Sequence, residues 1–418
     1  MNINEKRYLS GEDYRKFHLE LSDPVVVGQG KCEVWGPYQF PELQYTRTGS
    51  ILCSWAMHYD TIEYTGETGE AVSDDGGCTW RRRTDEDIQT YDVPMENGKC
   101  FAGFVGQGAY AVDYLDKYTP VCRRGDIRIY SAHAIAELDK DVLAQEYDPE
   151  TGEVTTFPTE IRWPNMPLMV YPGDRIYPIC QSMAIGNRNG RLALDDGRLA
   201  LDDGLYFCTY CGGFDCFTGE VTPYSGCNSV YIFRSTDCAR TWELWSQISV
   251  TEATYNPAPH FEGLDEPMMA QMPDGSVVML MRTGSGLPSY IVRSTDHCRT
   301  WSEPEQFDEI GVLPLIVPLG CGVILSSYGR HKLYLRATSD PSGMQWQDHI
   351  ELELTPGEGN RSCYYTHLLP LDDTSALMSY TDFHYPGPDG EPMKTVLVRK
   401  ITVVRDKGTA KESEICVK

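Results

Sequence analysis

A short acidic turn closed by tryptophan occurs four times in this chain, and its recurrence constrains the fold more than any other feature. The segments are Ser73-Asp74-Asp75-Gly76-Gly77-Cys78-Thr79-Trp80, Ser235-Thr236-Asp237-Cys238-Ala239-Arg240-Thr241-Trp242, Ser294-Thr295-Asp296-His297-Cys298-Arg299-Thr300-Trp301 and the degenerate Ser339-Asp340-Pro341-Ser342-Gly343-Met344-Gln345-Trp346. An Asp in such a turn accepts backbone N–H bonds, a small or flexible residue suits the reversal, and the Trp supplies a ring to bury where one repeat meets the next. Turns of this kind are structural. A turn recurring along a chain marks a repeat architecture, in which no unit buries its apolar face alone.

The tryptophans stand at 80, 242, 301 and 346, so the steps between them are 162, 59 and 45 residues. The two shorter steps each suit one four-stranded propeller blade with its loops, and the long step leaves room for two blades and an insertion. About six blades fit 418 residues. Strand-like runs bounded by Gly, Pro or Asp turns support an all-β reading, with no long helical period competing. They fall at Ser50 to Trp55, Val230 to Arg234, Ser276 to Arg282, Tyr290 to Ser294, Gly322 to Ser327, Lys332 to Thr338, Ala376 to Tyr380 and Thr395 to Val404. The expectation is one domain over residues 1–418, a six-bladed β-propeller of four-stranded antiparallel blades. Residues 1–30 form a lead-in or closing strand, and the first blade runs from about Trp35 to Arg82. Residues 84–230 hold the least regular blades. Within them, Gly-Arg-Leu-Ala-Leu-Asp-Asp occurs twice in tandem over residues 190–203, a duplication suited to an exposed hairpin loop.

Formal charge is −25 with a pI near 4.7, the wrong sign for nucleic acid or an anionic membrane surface. Any anionic ligand therefore needs a local basic pocket. The charged start Met1-Asn2-Ile3-Asn4-Glu5-Lys6-Arg7 lacks the apolar core of a signal peptide, and no run reaches membrane-spanning length, which suggests a cytoplasmic protein. An odd count of 15 cysteines, scattered along strand-like runs, agrees with a reducing compartment. Cys208, Cys211, Cys216 and Cys227 lack the paired close spacings of a zinc knuckle, so neither a metal nor another cofactor is expected.

Propeller ligands bind at one end of the central channel, where the innermost strand of each blade delivers side chains. Four segments place polar residues at such strand ends. Asp265-Glu266-Pro267 opens a strand-turn-strand that ends in Met281-Arg282-Thr283, and Ser327-Tyr328-Gly329-Arg330 closes another strand. Cys363-Tyr364-Tyr365-Thr366-His367 precedes a hairpin, and Trp35-Gly36-Pro37-Tyr38-Gln39-Phe40-Pro41 precedes the strand Ile51 to Trp55.

At these residues the chain, from about Trp35 to Tyr380, resembles the sialidase superfamily of Asp-box propellers. That family presents a Glu, two arginines and a Tyr in this order at strand ends, which Glu266, Arg282, Arg330 and Tyr365 match. The resemblance implies that Tyr365 is a nucleophile, Glu266 its base and Asp60 the acid/base, with Glu63 as the alternative acid. A neutral nucleophile avoids repulsion by a carboxylate on the substrate, which Arg282 and Arg330 would clamp with their planar forks. Where the family has a further clamp arginine, this chain has Gln39, an amide that hydrogen-bonds a ligand without neutralising it.

The leading expectation is an exo-acting, sialidase-like glycoside hydrolase on an acidic or nonulosonic sugar, with Gln39, Glu63 and His367 joining the arginines around it. One alternative is a uronic-acid lyase using Tyr365 or His367 as base. The other is a carbohydrate-binding propeller that has lost catalysis, in which Asp60, Glu266 and Tyr365 would not converge.

Overall fold

The protein is described by a computed structural model over residues 17–60, 67–91, 93–105, 109–176 and 198–405. It is all-β: among the described residues the only helical elements are two 3-10 turns, Leu115–Lys117 and Ala132–Ala134, and no helix is long and apolar enough to cross a membrane. Glu63, residues 1–16 of the lead-in and the first copy of the tandem repeat lie outside the described residues.

Four antiparallel meanders of four strands carry most of the chain. The first runs through Gln39–Tyr45, Ile51–Ala56, Thr68–Ser73 and Arg81–Arg82. The second comprises Arg198–Leu201, Gly204–Gly212, Asn228–Ser235 and Thr241–Ile248, and the third Phe261–Gln271, Val277–Gly284, Ser289–Ser294 and Glu305–Asp308. The fourth joins Val312–Pro318, Ile324–Gly329, Leu333–Thr338 and Ile350–Leu352. The last sheet is built from both ends of the chain: His367–Asp372, Ser375–Pro386 and Pro392–Arg405 are followed by Phe17–Leu21, with Val25–Gly30 also paired to Pro392–Arg405. Residues 100–176 are less regular, with Cys100–Phe104, Val142–Tyr147 and Val154–Arg162 in one set of strands and a five-stranded sheet beside them.

Apolar side chains lie between sheets rather than inside one. Val277–Gly284 and Ile324–Gly329 are buried along their whole length, and each opens on an apolar run, Val277 to Met281 and Ile324-Leu325. Each such side chain is worth roughly 1.5–3 kcal/mol when fully buried. One cluster unites Met268 and Leu280 with Leu315, Ile324, Leu368 and Met378, spanning the third, fourth and last sheets. Another brings Leu43 and Cys53 of the first sheet against Leu369 and Leu377 of the last.

The acidic turns share one hydrogen-bond scheme. Ser73, Ser235 and Ser294 each donate from Oγ to an Asp two residues on, at 2.9 Å, and each Oγ accepts an amide further along the turn. The same Asp then accepts the amide of Thr79, Thr241 or Thr300 at 2.8–2.9 Å. In the fourth turn Thr338 takes the serine's place before Asp340, one residue earlier than the sequence pattern suggests. Cys238-Ala239 and His297-Cys298 adopt left-handed φ where the first turn has Gly76-Gly77. Each non-glycine residue there costs roughly 1–2 kcal/mol, which the turn's hydrogen bonds offset.

The tryptophans reach back to the preceding sheet. Trp242 is fully buried against Phe101, Phe104 and Phe207. Trp301 donates 3.1 Å to Ser246 of the second meander, and Trp346 stands edge-on to Phe307 of the third at 5.3 Å. Trp80 packs on the cluster that includes Leu377 of the last sheet. Only Trp242 loses its exposure entirely. The other three are half-buried.

Hydrogen bonds to Thr79, from side chain and amide, and to Ser73 hold Asp75 down to about 2, and Asp237, Asp296 and Asp340 also stand below the usual carboxylate value despite burial that acts the other way. A lowered folded pKa gives stability that is present above the unfolded value near 3.9 and lost as pH falls through the folded one. Thermal midpoints should therefore drop between about pH 4 and 2, and Asp296→Ala should cost about 1–2 kcal/mol at neutral pH while flattening that acid dependence, as read by melting across pH.

Candidate active site

A repeated backbone irregularity brings the polar residues together. The first strands of the first, third and fourth meanders each carry a bulge, at Phe40-Pro41, Glu266-Pro267 and Leu313-Pro314, where the register slips against the next strand. In all three the residue before proline has left-handed φ: 54° for Phe40, 45° for Glu266 and 43° for Leu313. Proline donates no amide to the ladder and disfavours this conformation in its predecessor, so each bulge stores about 1–3 kcal/mol of strain. Each bulge turns one side chain or one amide out of the ladder. Tyr364, at φ 66°, makes the corresponding turn just before the first strand of the last sheet.

Glu266 is the centre of the arrangement. Its Oε1 accepts from the Tyr365 hydroxyl at 2.5 Å and from Arg282 Nη1 at 2.9 Å, and its Oε2 accepts the Leu313 amide at 2.9 Å. Arg282 Nη1 also approaches the Tyr365 hydroxyl at 3.4 Å. Tyr365, Glu266 and Arg282 are 4%, 4% and 3% exposed, and the Tyr365 ring is set edge-on by Phe40 at 5.0 Å, so all three are held in place.

The third meander surrounds Arg282 with acid. Nη2 pairs with Glu262, and Nε lies 3.9 Å from Asp265 Oδ1, directly across the ladder. Asn228 Nδ2 donates to Asp265 Oδ2 at 3.1 Å, and Arg124 Nη1 ties Asn228 to the Glu262 carbonyl. Burial opposes the charge of Arg282, but Glu266, Asp265, Tyr365 and Glu262 outweigh it and hold its pKa well above the ordinary value. Burial pushes Asp265 well above the usual carboxylate range; Arg282 opposes the rise, and Glu262 and Glu266 add to it.

The other sequence candidates stand at different distances from this group. Asp60 is exposed and accepts from Trp35 Nε1 at 2.9 Å. Trp35 meets Phe383 edge-on at 6.0 Å and packs on the apolar cluster containing Phe40 and Tyr365, which places Asp60 at the border of that cluster. Gly36, at φ 119°, lets the two loops touch, since a Cβ would collide with the backbone of His58, Tyr59 and Asp60. Arg330 is half-buried and donates to Ser285 Oγ at 2.5 Å. His367 is buried and its Nδ1 accepts the Leu43 amide at 3.3 Å, joining the last sheet to the first.

Gln39 is completely buried. In the amide orientation that satisfies its neighbours, its oxygen accepts from Gly36 N at 3.0 Å and from Lys394 Nζ at 3.1 Å. Lys394 also donates to the Val34 carbonyl and lies 4.7 Å from the Phe383 ring centre. Burial lowers its pKa.

Glu262, Asp265, Asn228, Arg124 and Lys394 are not picked out by reading the sequence. Asp265 adjoins Glu266, and Lys394 stands on a strand whose same-face neighbours Val396 and Val398 are apolar, so a signal existed for these two. Glu262 enters through its contact with Arg282 across a bulged hairpin, and Asn228 and Arg124 through contacts with strands farther along the chain.

Residues 218–387, a span that includes Glu262, Glu266, Arg282, Arg330 and Tyr365, match the model of a BNR repeat-like domain. None of the curated proteins matches the sequence. Among solved structures, a protein of unknown function from Dyadobacter fermentans superposes with a TM-score of 0.51 at 16% identity, covering 92% of this chain and 99% of its own, a likeness of fold. Weaker likenesses are to an α-L-arabinanase from Penicillium chrysogenum (TM-score 0.42, 13% identity, 90% and 98% covered) and a sialidase from Streptococcus pneumoniae (TM-score 0.44, 13% identity, 90% and 70% covered).

Removing the guanidinium would leave buried acids with no counter-charge. Arg282→Met should cost about 3–5 kcal/mol in urea denaturation at neutral pH, and adding Asp265→Asn and Glu266→Gln should recover part of the loss.

Proposed function

We propose that the chain is a glycan-active, six-bladed β-propeller and an exo-acting glycoside hydrolase with Tyr365 as nucleophile. The four meanders, the last sheet shared by both chain ends and the reach of each Trp to the preceding sheet support the propeller, with residues 84–176 supplying the remaining blade. One observation carries the chemistry: the Tyr365 hydroxyl donates to Glu266 at 2.5 Å while Arg282 touches both.

In the first step Tyr365 Oη bonds to the anomeric carbon as its proton passes to Glu266 Oε1, and the glycosidic C–O bond breaks with Asp60 protonating the leaving oxygen. Arg282 favours the developing phenolate and fixes the acceptor oxygen, while the Leu313 amide fixes the other. In the second step Asp60 takes a proton from water, whose oxygen attacks the anomeric carbon. The phenol leaves and recovers its proton from Glu266. Glu63 is the alternative acid.

Glu266 and Tyr365 meet from separate sheets, with Arg282 beside Glu266 on the third, and this supports an enzyme over a binding propeller that has lost its chemistry; Asp60, the third member of that test, bonds to Trp35 at the border of the apolar cluster that holds Tyr365. A lyase would draw on the same Tyr365 as base. His367 suits that role less, because its Nδ1 already serves the Leu43 amide.

Tyr365→Phe should fold normally and lose on the order of 10³-fold or more in release of nitrophenol from its preferred aryl glycoside, and Glu266→Gln about 10²–10⁴-fold. Unchanged turnover in Tyr365→Phe would remove the nucleophile assignment. An unsaturated product absorbing in the near ultraviolet would transfer the residue to a lyase.

A further inference from the structure

We infer that the sugar taken at this site carries no carboxylate, and that Glu262 is the residue that selects against one. The inference rests on the hydrolase reading above and specifies its substrate class.

A substrate carboxylate needs a cation with N–H groups turned towards it. Arg282 turns both Nη groups to the chain itself: Nη1 serves Glu266 and Tyr365, Nη2 serves Glu262, and the buried Nε lies 3.9 Å from Asp265 without a hydrogen bond. Gln39 brings no charge, and the cation beside it, Lys394, is spent on Gln39, the Val34 carbonyl and the Phe383 ring. Of the two arginines matched to the clamp this leaves Arg330, which is half-buried and turns Nη1 to Ser285.

The local charge points the same way. Glu262, Asp265 and Glu266 gather around Arg282, and the nearby Arg124 turns its Nη1 to Asn228 and to the Glu262 carbonyl instead. A ligand carboxylate would have to displace Glu262 and then sit near Glu266, inside a protein whose overall charge is −25. Glu262 holds the more open side of the group, with its side chain 44% exposed against 4% for Arg282. It is a carboxylate supplied by the chain itself where an acidic sugar would place its own. For a neutral sugar the same group is useful, because its remaining lone pairs accept hydrogen bonds from hydroxyls.

The test compares wild type with Glu262→Gln, an isosteric change at a partly exposed position whose folding is checked by circular dichroism. A panel of nitrophenyl glycosides of neutral sugars is assayed beside aryl glucuronide and aryl sialoside, and binding of the didehydro analogue of N-acetylneuraminic acid is titrated. Wild type should cleave a neutral glycoside and neither acidic one, and Glu262→Gln should bind the didehydro analogue at least about tenfold more tightly than wild type. Cleavage of the sialoside or glucuronide by wild type, abolished by Tyr365→Phe, would overturn this inference and leave the hydrolase reading standing. Equal binding of the analogue by both proteins would overturn the role of Glu262. Failure to cleave any glycoside would bring down the hydrolase reading and this inference with it.

Discussion

The packing of the last sheet on the first is the contact on which everything else rests. The last sheet is not complete from one stretch of sequence: Phe17–Leu21 must pair with Pro392–Arg405 before it has its fourth strand. Across the seam, Leu43 and Cys53 meet Leu369 and Leu377, the Leu43 amide bonds to His367, and the Phe40 ring sets the plane of Tyr365. The gain is mostly apolar area removed from water, and the polar contacts fix the register within it. The proposed nucleophile is thus oriented by residues more than 300 positions away along the chain.

Strain is concentrated beside the same seam. The first strands of three meanders give up a ladder position to a left-handed residue before proline, and one of the three residues is Glu266. Such bulges are local losses that only a fully packed surrounding can hold. In return Glu266 faces Tyr365, and the Leu313 amide is freed to bind its second oxygen.

Much of this was legible in the sequence, and for physical reasons. The turns are local, each closed by hydrogen bonds within a few residues, so their chemistry shows in the letters. The strands near Val277, Ile324, Leu333, Ser375 and Pro392 are largely buried and rich in apolar and β-branched residues, so they fall where the composition puts them. Val154–Arg162 has little apolar content and alternates between half-buried and exposed positions, which left the region around it without a signal. Glu266, Arg282 and Tyr365 could be matched by their order. That Arg282 is already engaged could not, because the engagement depends on Glu262 and Asp265 lying across a bulged register and on Asn228 arriving from another sheet. Lys394 beside Gln39 likewise follows from two strands 355 residues apart in sequence.

The Leu313 amide on Glu266 has a consequence for the molecule as a whole. The carboxylate belongs to the third meander, the amide to the fourth, the phenol to the last sheet, and the ring behind the phenol to the first. The four groups come together only where all four sheets are packed. The constellation is therefore a property of the whole set of packed sheets and of no single one of them.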